Sequence, residues 1–129
     1  MPSDAHAHAV LRRAIERRQV AAAWATAMQL GGNLQLPDAL ALTLLVLDRE
    51  PPNYARLALR WHARFCAERE GISLAEAQLL LDLLCQLERH QGELRLLAGR
   101  TLRGLLEARG ERVLAAELRA WEAFNAGRS

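Results

Sequence analysis

A chain of 129 residues with a formal net charge of +2 fits one domain of ordinary size, and we predict a single all-helical domain over residues 1–129. So small a charge does not by itself indicate nucleic-acid binding, and two cysteines in a chain this long do not make a disulfide framework. Leu (26) and Ala (24) dominate the apolar residues, whereas Val, Ile and Thr together number nine, which favours helix over strand.

Gly and Pro residues fall between periodic segments and divide the chain into seven predicted helices. These span about residues 4–17, 19–30, 37–49, 52–70, 73–90, 93–109 and 111–125. No breaker separates the first two, so one longer helix is an alternative. Short connections favour antiparallel neighbours. The predicted fold is all-α, with helices stacked as antiparallel hairpins in a short α-solenoid or a compact bundle, and without β-strands.

The apolar positions indicate how deeply each helix is buried. The third and fifth helices are apolar on almost all sides and are expected to be covered on two sides. The first helix has a narrower stripe formed by Val10, Leu11, Ala14 and Ile15. The second helix carries the apolar residues Ala21, Trp24, Ala25 and Met28.

Part of the chain resembles a known type of protein. The segments concerned are Leu36-Pro37-Asp38-Ala39-Leu40, Arg60-Trp61-His62-Ala63-Arg64-Phe65 and Leu74-Ala75-Glu76-Ala77. The stretch 36–87, about half the chain, resembles small uncharacterised all-helical proteins of GC-rich bacteria. The resemblance implies an all-helical fold and no particular activity.

No catalytic motif stands out in the sequence. There is no nucleophile motif, Gly-rich phosphate loop or HExxH, so we predict a protein that is not an enzyme, with no catalytic residue and no cofactor. His62 and Cys66 share one helix face and could begin a metal site with Cys85 as a third ligand. The favoured interpretation is that all three are core or boundary residues, and that no metal is bound.

Arginine clusters are the clearest patterned feature, and the chain has no lysine. Arg56, Arg60 and Arg64 follow one ridge of the fourth helix at a spacing of four, where like charges repel mildly. A second cluster on the first helix includes Arg12, Arg13 and Arg17. We expect the ridge to be exposed. Both clusters are interpreted either as a docking surface for an acidic protein or for phosphates, or as ordinary solvated faces.

Trp121, on the last helix, has two interpretations. It is either an aromatic anchor for a partner or a homodimer, or it closes the domain's own core.

Two functional hypotheses follow from these features. The first is a non-enzymatic protein-binding adaptor or regulator built on stacked helices, acting on a protein partner or as a homodimer. The second is a nucleic-acid-associated regulator that uses the arginine faces. No signal-peptide pattern is present, and the longest apolar run is too short to span a bilayer, so we expect a cytoplasmic protein without a membrane partner.

Overall fold

The structure is a computed structural model that describes residues 4–127. This part of the chain forms seven α-helices and no β-strand, which confirms the predicted fold class. The helices are α1 (Asp4–Glu16), α2 (Val20–Leu30), α3 (Leu36–Arg49), α4 (Tyr54–Glu68), α5 (Leu74–Arg89), α6 (Gly92–Ala108) and α7 (Arg112–Ala126). Short 3₁₀ turns at Gly31–Asn33 and Pro51–Asn53 precede α3 and α4.

Local chemistry explains where the helices begin and end. The capping box is present at the start of α5, because the Glu76 amide donates to Ser73 Oγ at 3.1 Å and the Ser73 amide donates to Glu76 Oε1 at 3.3 Å. The alternative of one long N-terminal helix is wrong. Arg18 adopts φ +61°, a left-handed conformation that a continuous helix cannot contain, and this separates α1 from α2.

The helices pack in sequence order around α3. Each helix contacts the next one along the chain, and both α1 and α7 also pack against α3. An open solenoid has contacts between neighbouring repeats alone, so the return of α7 to α3 makes the array a closed one. All residues from Leu40 to Leu47 are buried, which makes α3 the central helix.

Two helices, α5 and α2, leave large apolar side chains exposed. The helix α5 packs against both α4 and α6, as expected for a helix covered on two sides, while Leu74 and Leu79 remain exposed. On α2, Trp24 and Met28 lie on the exposed side, whereas the buried positions are Ala23, Thr26, Ala27 and Leu30. Small residues on the inward face let α2 approach α1 and α3 closely, and this leaves its bulky apolar side chains outside.

Candidate functional site

A groove of about 410 Å³ lies between α2 and α4, with α3 as its floor. Pockets that take up apolar groups are roughly 300–1,000 Å³ in volume, so this groove is large enough to bind a ligand. We call it the α2–α4 groove. Its lining includes Trp24, Met28, Leu42, Leu57, Arg60 and Arg64.

The α2 wall of the groove carries no charge. No charged residue occurs anywhere from Gln19 to Pro37. Trp24 is 36% exposed and Met28 is 65% exposed, although both side chains are large and apolar. A helix that is apolar on all sides is ordinarily buried on all sides. The charge-free stretch was a signal in the sequence that could have identified this wall.

The polar groups at the base of the groove already have partners within the protein. Trp61 Nε1 donates to the Leu36 carbonyl at 3.0 Å, and Thr43 Oγ1 donates to the Ala39 carbonyl at 2.7 Å. Because these carbonyls are occupied, the base of the groove presents mainly apolar surface to a ligand.

The α4 wall carries the arginine ridge. The predicted exposure is confirmed for Arg56 and Arg60, and within residues 4–127 no carboxylate lies at salt-bridge distance from either of them. The prediction is wrong for Arg64, which is half-buried. Its Nη2 donates to the Leu34 carbonyl at 2.8 Å and its Nε donates to Glu68 at 2.9 Å. Arg64 therefore ties α4 to the segment before α3. Among the described residues, Arg56 and Arg60 have no carboxylate partner; Arg60 lines the groove, and Arg56 lies one turn earlier on α4, just outside its lining.

A second cleft, of about 300 Å³, lies where α1 and α7 meet α3. We call it the α1–α7 cleft, and its lining includes Arg12, Ile15, Arg18, Leu44, Trp121 and Phe124. Two buried carboxylates of α3, Asp38 and Asp48, lie on this side of the protein, with side chains only 3% and 1% exposed. A buried carboxylate needs a cation and hydrogen bonds, and α1 together with the turn that follows it supplies both.

The arginines beside the α1–α7 cleft are used inside the protein. Arg12 pairs with Asp38 at 3.3 Å and with Glu117, while Arg18 pairs with Asp48 at 2.7 Å. The Arg18 guanidinium also lies over the Phe124 ring, 3.8 Å from its centroid. Arg12, expected to belong to a docking surface, therefore joins α1 to α3 and α7.

The other arginines of the N-terminal cluster, Arg13 and Arg17, are exposed. They lie on α1 and just after it, and they do not line the α2–α4 groove. The structure therefore does not bring the two predicted arginine clusters together into one surface.

Trp121 does not form an exposed anchor. It is 4% exposed in the main core, and its Nε1 donates to Asp48 Oδ1 at 3.1 Å. Asn125 Nδ2 donates to the same carboxylate at 3.2 Å. The interpretation of Trp121 as a docking residue is corrected, because the side chain closes the protein's own core. Asp48 itself was missed, although a carboxylate at the end of a helix this apolar is the kind of signal that indicates a buried ion pair.

The three suggested metal ligands do not form one group in residues 4–127. His62 Nε2 donates to the Ala77 carbonyl at 2.6 Å, and Cys66 Sγ lies 3.8 Å from the same nitrogen. Cys85 is exposed on α5. Within residues 4–127 no three His, Cys, Asp or Glu side chains are grouped to hold a metal ion. Since the imidazole nitrogen nearest the thiol is a donor to a carbonyl, it is also not placed to accept the thiol proton.

The buried tyrosine has a structural role as well. Tyr54 donates its hydroxyl to the Leu84 carbonyl at 2.8 Å, and burial raises the pKa of the Tyr54 hydroxyl far above its ordinary value of 10. The group stays protonated and joins α4 to α5.

Comparison with known proteins finds no match for this chain among family models, curated proteins or solved structures. None of the helices in residues 4–127 has the length and apolar character needed to cross a bilayer.

Proposed function

We propose that this protein is a non-enzymatic protein-binding adaptor or regulator, and that its α2–α4 groove takes up a segment of a protein partner. The observation that carries the proposal is the α2 wall, a helix without charge that leaves Trp24 and Met28 in solvent. Covering apolar surface is favourable by roughly 25 cal/mol per Å², and contiguous exposed apolar surface with a polar rim marks interaction sites.

The alternative function is that of a nucleic-acid-associated regulator. Phosphate binding depends on several arginines without internal partners. Arg12 and Arg18 are neutralised by buried carboxylates, and Arg64 is shared with Glu68. Arg60 lines an apolar groove, and the exposed Arg13 and Arg17 lie away from it. The free arginines therefore do not form one broad basic surface, which supports a protein partner.

The test is a selection of peptides displayed from an unrestricted library against the full chain. Binders are compared on the parent and on Met28→Glu, which places a charge in the groove at a position where the side chain is already exposed. We expect affinity to fall by about tenfold or more, because a carboxylate would have to be buried against apolar groups. The change in tryptophan fluorescence on binding reports occupation of the groove, because both Trp24 and Trp61 line it.

Leu74→Glu is the matched control, because Leu74 is an exposed leucine outside the groove, at the start of α5. Binders should not distinguish this variant from the parent. A selection that yields no binder sensitive to Met28→Glu contradicts the proposal. Mixed-sequence duplex DNA that binds with a steep salt dependence, and loses binding when Arg56, Arg60 and Arg64 are all changed to Gln, would favour the nucleic-acid alternative instead.

A further inference from the structure

The α2–α4 groove also indicates the chemistry of the segment that fills it, an inference that rests on the proposed function. We infer that the partner segment is an amphipathic α-helix that carries two carboxylates about one turn apart, placed to pair with Arg56 and Arg60.

The backbone groups that line the groove favour a helical partner segment over an extended one. Both walls are helices whose backbone groups are bonded within the helix, so the groove has no strand edge to pair with. Three carbonyls near its base, those of Leu34, Leu36 and Ala39, already accept from side chains of the protein. An extended segment would bury its own amides and carbonyls there without partners. A helix enters with these groups satisfied, and its apolar stripe can lie on the floor beside Trp24.

The charges of the α4 wall select carboxylates. Arg56 and Arg60 are four residues apart, which separates them by about 6 Å along the helix axis. A facing helix with acidic residues at positions i and i+4 repeats the same distance. The two arginines repel each other mildly, and a facing carboxylate pair removes that repulsion. Since α2 is uncharged, no side chain of the opposite wall competes for them.

The ridge also sets which end of the groove attracts the carboxylates of the partner. Glu68 continues the ridge after Arg64, its side chain is 44% exposed, and it lines the groove at the end away from Arg56. Carboxylates of the partner are therefore attracted at the Arg56 end and repelled at the Glu68 end. Arg64 is fixed by the Leu34 carbonyl and by Glu68, so Arg60 is the residue that selects for charge at the groove itself.

Matched peptides test this inference. Two designed peptide sets share apolar residues at helical spacing and differ in their flanking positions, which are glutamates at i and i+4 in one set and lysines in the other. A third set repeats the acidic sequences with a central proline that breaks the helix. Binding to the full chain is measured by tryptophan fluorescence, beside the unrestricted library described above.

We expect the acidic helical set to bind at least about tenfold more tightly than the basic set and the proline set, because charge-assisted hydrogen bonds and a satisfied backbone both contribute. Arg60→Glu should reverse the charge preference. Arg112→Glu, the same charge change at an exposed residue at the start of α7, should leave the preference as it is.

The remaining outcomes distinguish failure of this inference from failure of the proposed function. Equal or tighter binding of the basic set, or of the proline set, overturns the inference and leaves the proposed function standing. Failure of all designed sets, while unrestricted binders still respond to Met28→Glu, also overturns the inference alone. Failure of the unrestricted selection overturns the proposed function. A parent protein that is dimeric, and that Met28→Glu makes monomeric, would identify a second copy of the chain as the occupant and overturn the inference.

Discussion

Two clefts flank α3, and they differ in whether the arginines that line them are paired with buried carboxylates. In the α1–α7 cleft, of about 300 Å³, Arg12 and Arg18 are paired with the buried carboxylates Asp38 and Asp48. In the α2–α4 groove, of about 410 Å³, the adjoining α2 wall has no charge, and Arg60 is exposed. An arginine cluster in a sequence is thus left available to a ligand only where the fold brings no counter-charge to it.

The two clefts differ in what removing a side chain should do. Breaking a buried ion pair leaves an uncompensated charge and is costly, whereas exposed charges contribute little to stability. Changes beside the α1–α7 cleft should therefore alter folding, and changes on the free part of the α4 ridge should alter binding. The following predictions test this contrast.

Asp48→Ala should have the largest effect, a loss of about 3–5 kcal/mol in the free energy of unfolding. The change leaves Arg18 without its counter-charge and removes the acceptor for Trp121 Nε1 and Asn125 Nδ2. Urea unfolding of the variant measures the loss. Asp82→Ala, at an exposed aspartate of α5, is the control and should stay within about 0.5 kcal/mol of the parent. Equal stabilities of the two variants would show that Asp48 is not a structural centre.

Gly99→Ala should destabilise the protein by about 1–3 kcal/mol, because a methyl group there meets well-packed atoms. A Cβ atom at Gly99 would lie 2.6 Å from Cζ3 of Trp121, which borders the α1–α7 cleft. Gly104→Ala, on the same helix with no atom within 4 Å, is the control and should raise stability by about 0.5–1 kcal/mol. Thermal unfolding of both variants checks the opposite signs, and a stabilising Gly99→Ala would mean that Trp121 moves aside easily.

Arg64→Gln should lower the free energy of unfolding by about 1 kcal/mol, because it removes a charged hydrogen bond to the Leu34 carbonyl. Arg60→Gln should change stability by less than about 0.5 kcal/mol, since its side chain is exposed. Urea midpoints of the two variants separate the structural part of the ridge from the free part. A larger loss for Arg60→Gln than for Arg64→Gln would reverse the assignment.

The smallest effect concerns the pH dependence of stability, at a pair of residues that line neither cleft. The hydrogen bond from Arg109, 2.6 Å long, lowers the pKa of Glu76 below its ordinary value of 4.5. Because the folded pKa is the lower one, the stabilisation is present above pH 4.5 and is lost as the pH falls through the folded pKa. Glu76→Gln should therefore flatten the decline in stability below pH 4.5, as urea midpoints at several pH values will show. If stability declines at acid pH as steeply in Glu76→Gln as in the parent, Arg109 does not act on this carboxylate.

The positions of the helices could be predicted because their signals are local. Ser73 and Glu76 act within one turn, and Pro37 takes its place in the first turn of α3. The predicted and observed ends agree to within a few residues. The break between α1 and α2 has no such local signal, because no Gly or Pro marks it and the left-handed residue is Arg18.

The inward face of α2 could not be predicted from periodicity. A hydrophobic period selects a face when polar residues mark the opposite one, and α2 is apolar almost all round. Trp24 and Met28 are the larger apolar side chains of α2. Nevertheless, it is Ala23 and Ala27 that pack inward beside Leu11 of α1. Close helix packing favoured the small residues, and the groove formed beside the large ones.

The amino-acid sequence alone predicts an all-α fold, the order and approximate ends of seven helices, and the spacing of Arg56, Arg60 and Arg64 along one ridge. These properties depend on interactions between residues that are near each other in the chain. Which arginines are paired and which are free depends instead on how the helices pack. The carboxylate that neutralises Arg12 from α7 belongs to Glu117, which is 105 positions away in the chain. Electrostatic pairing depends on distance in space, and the packing of α1 and α7 against α3 sets that distance.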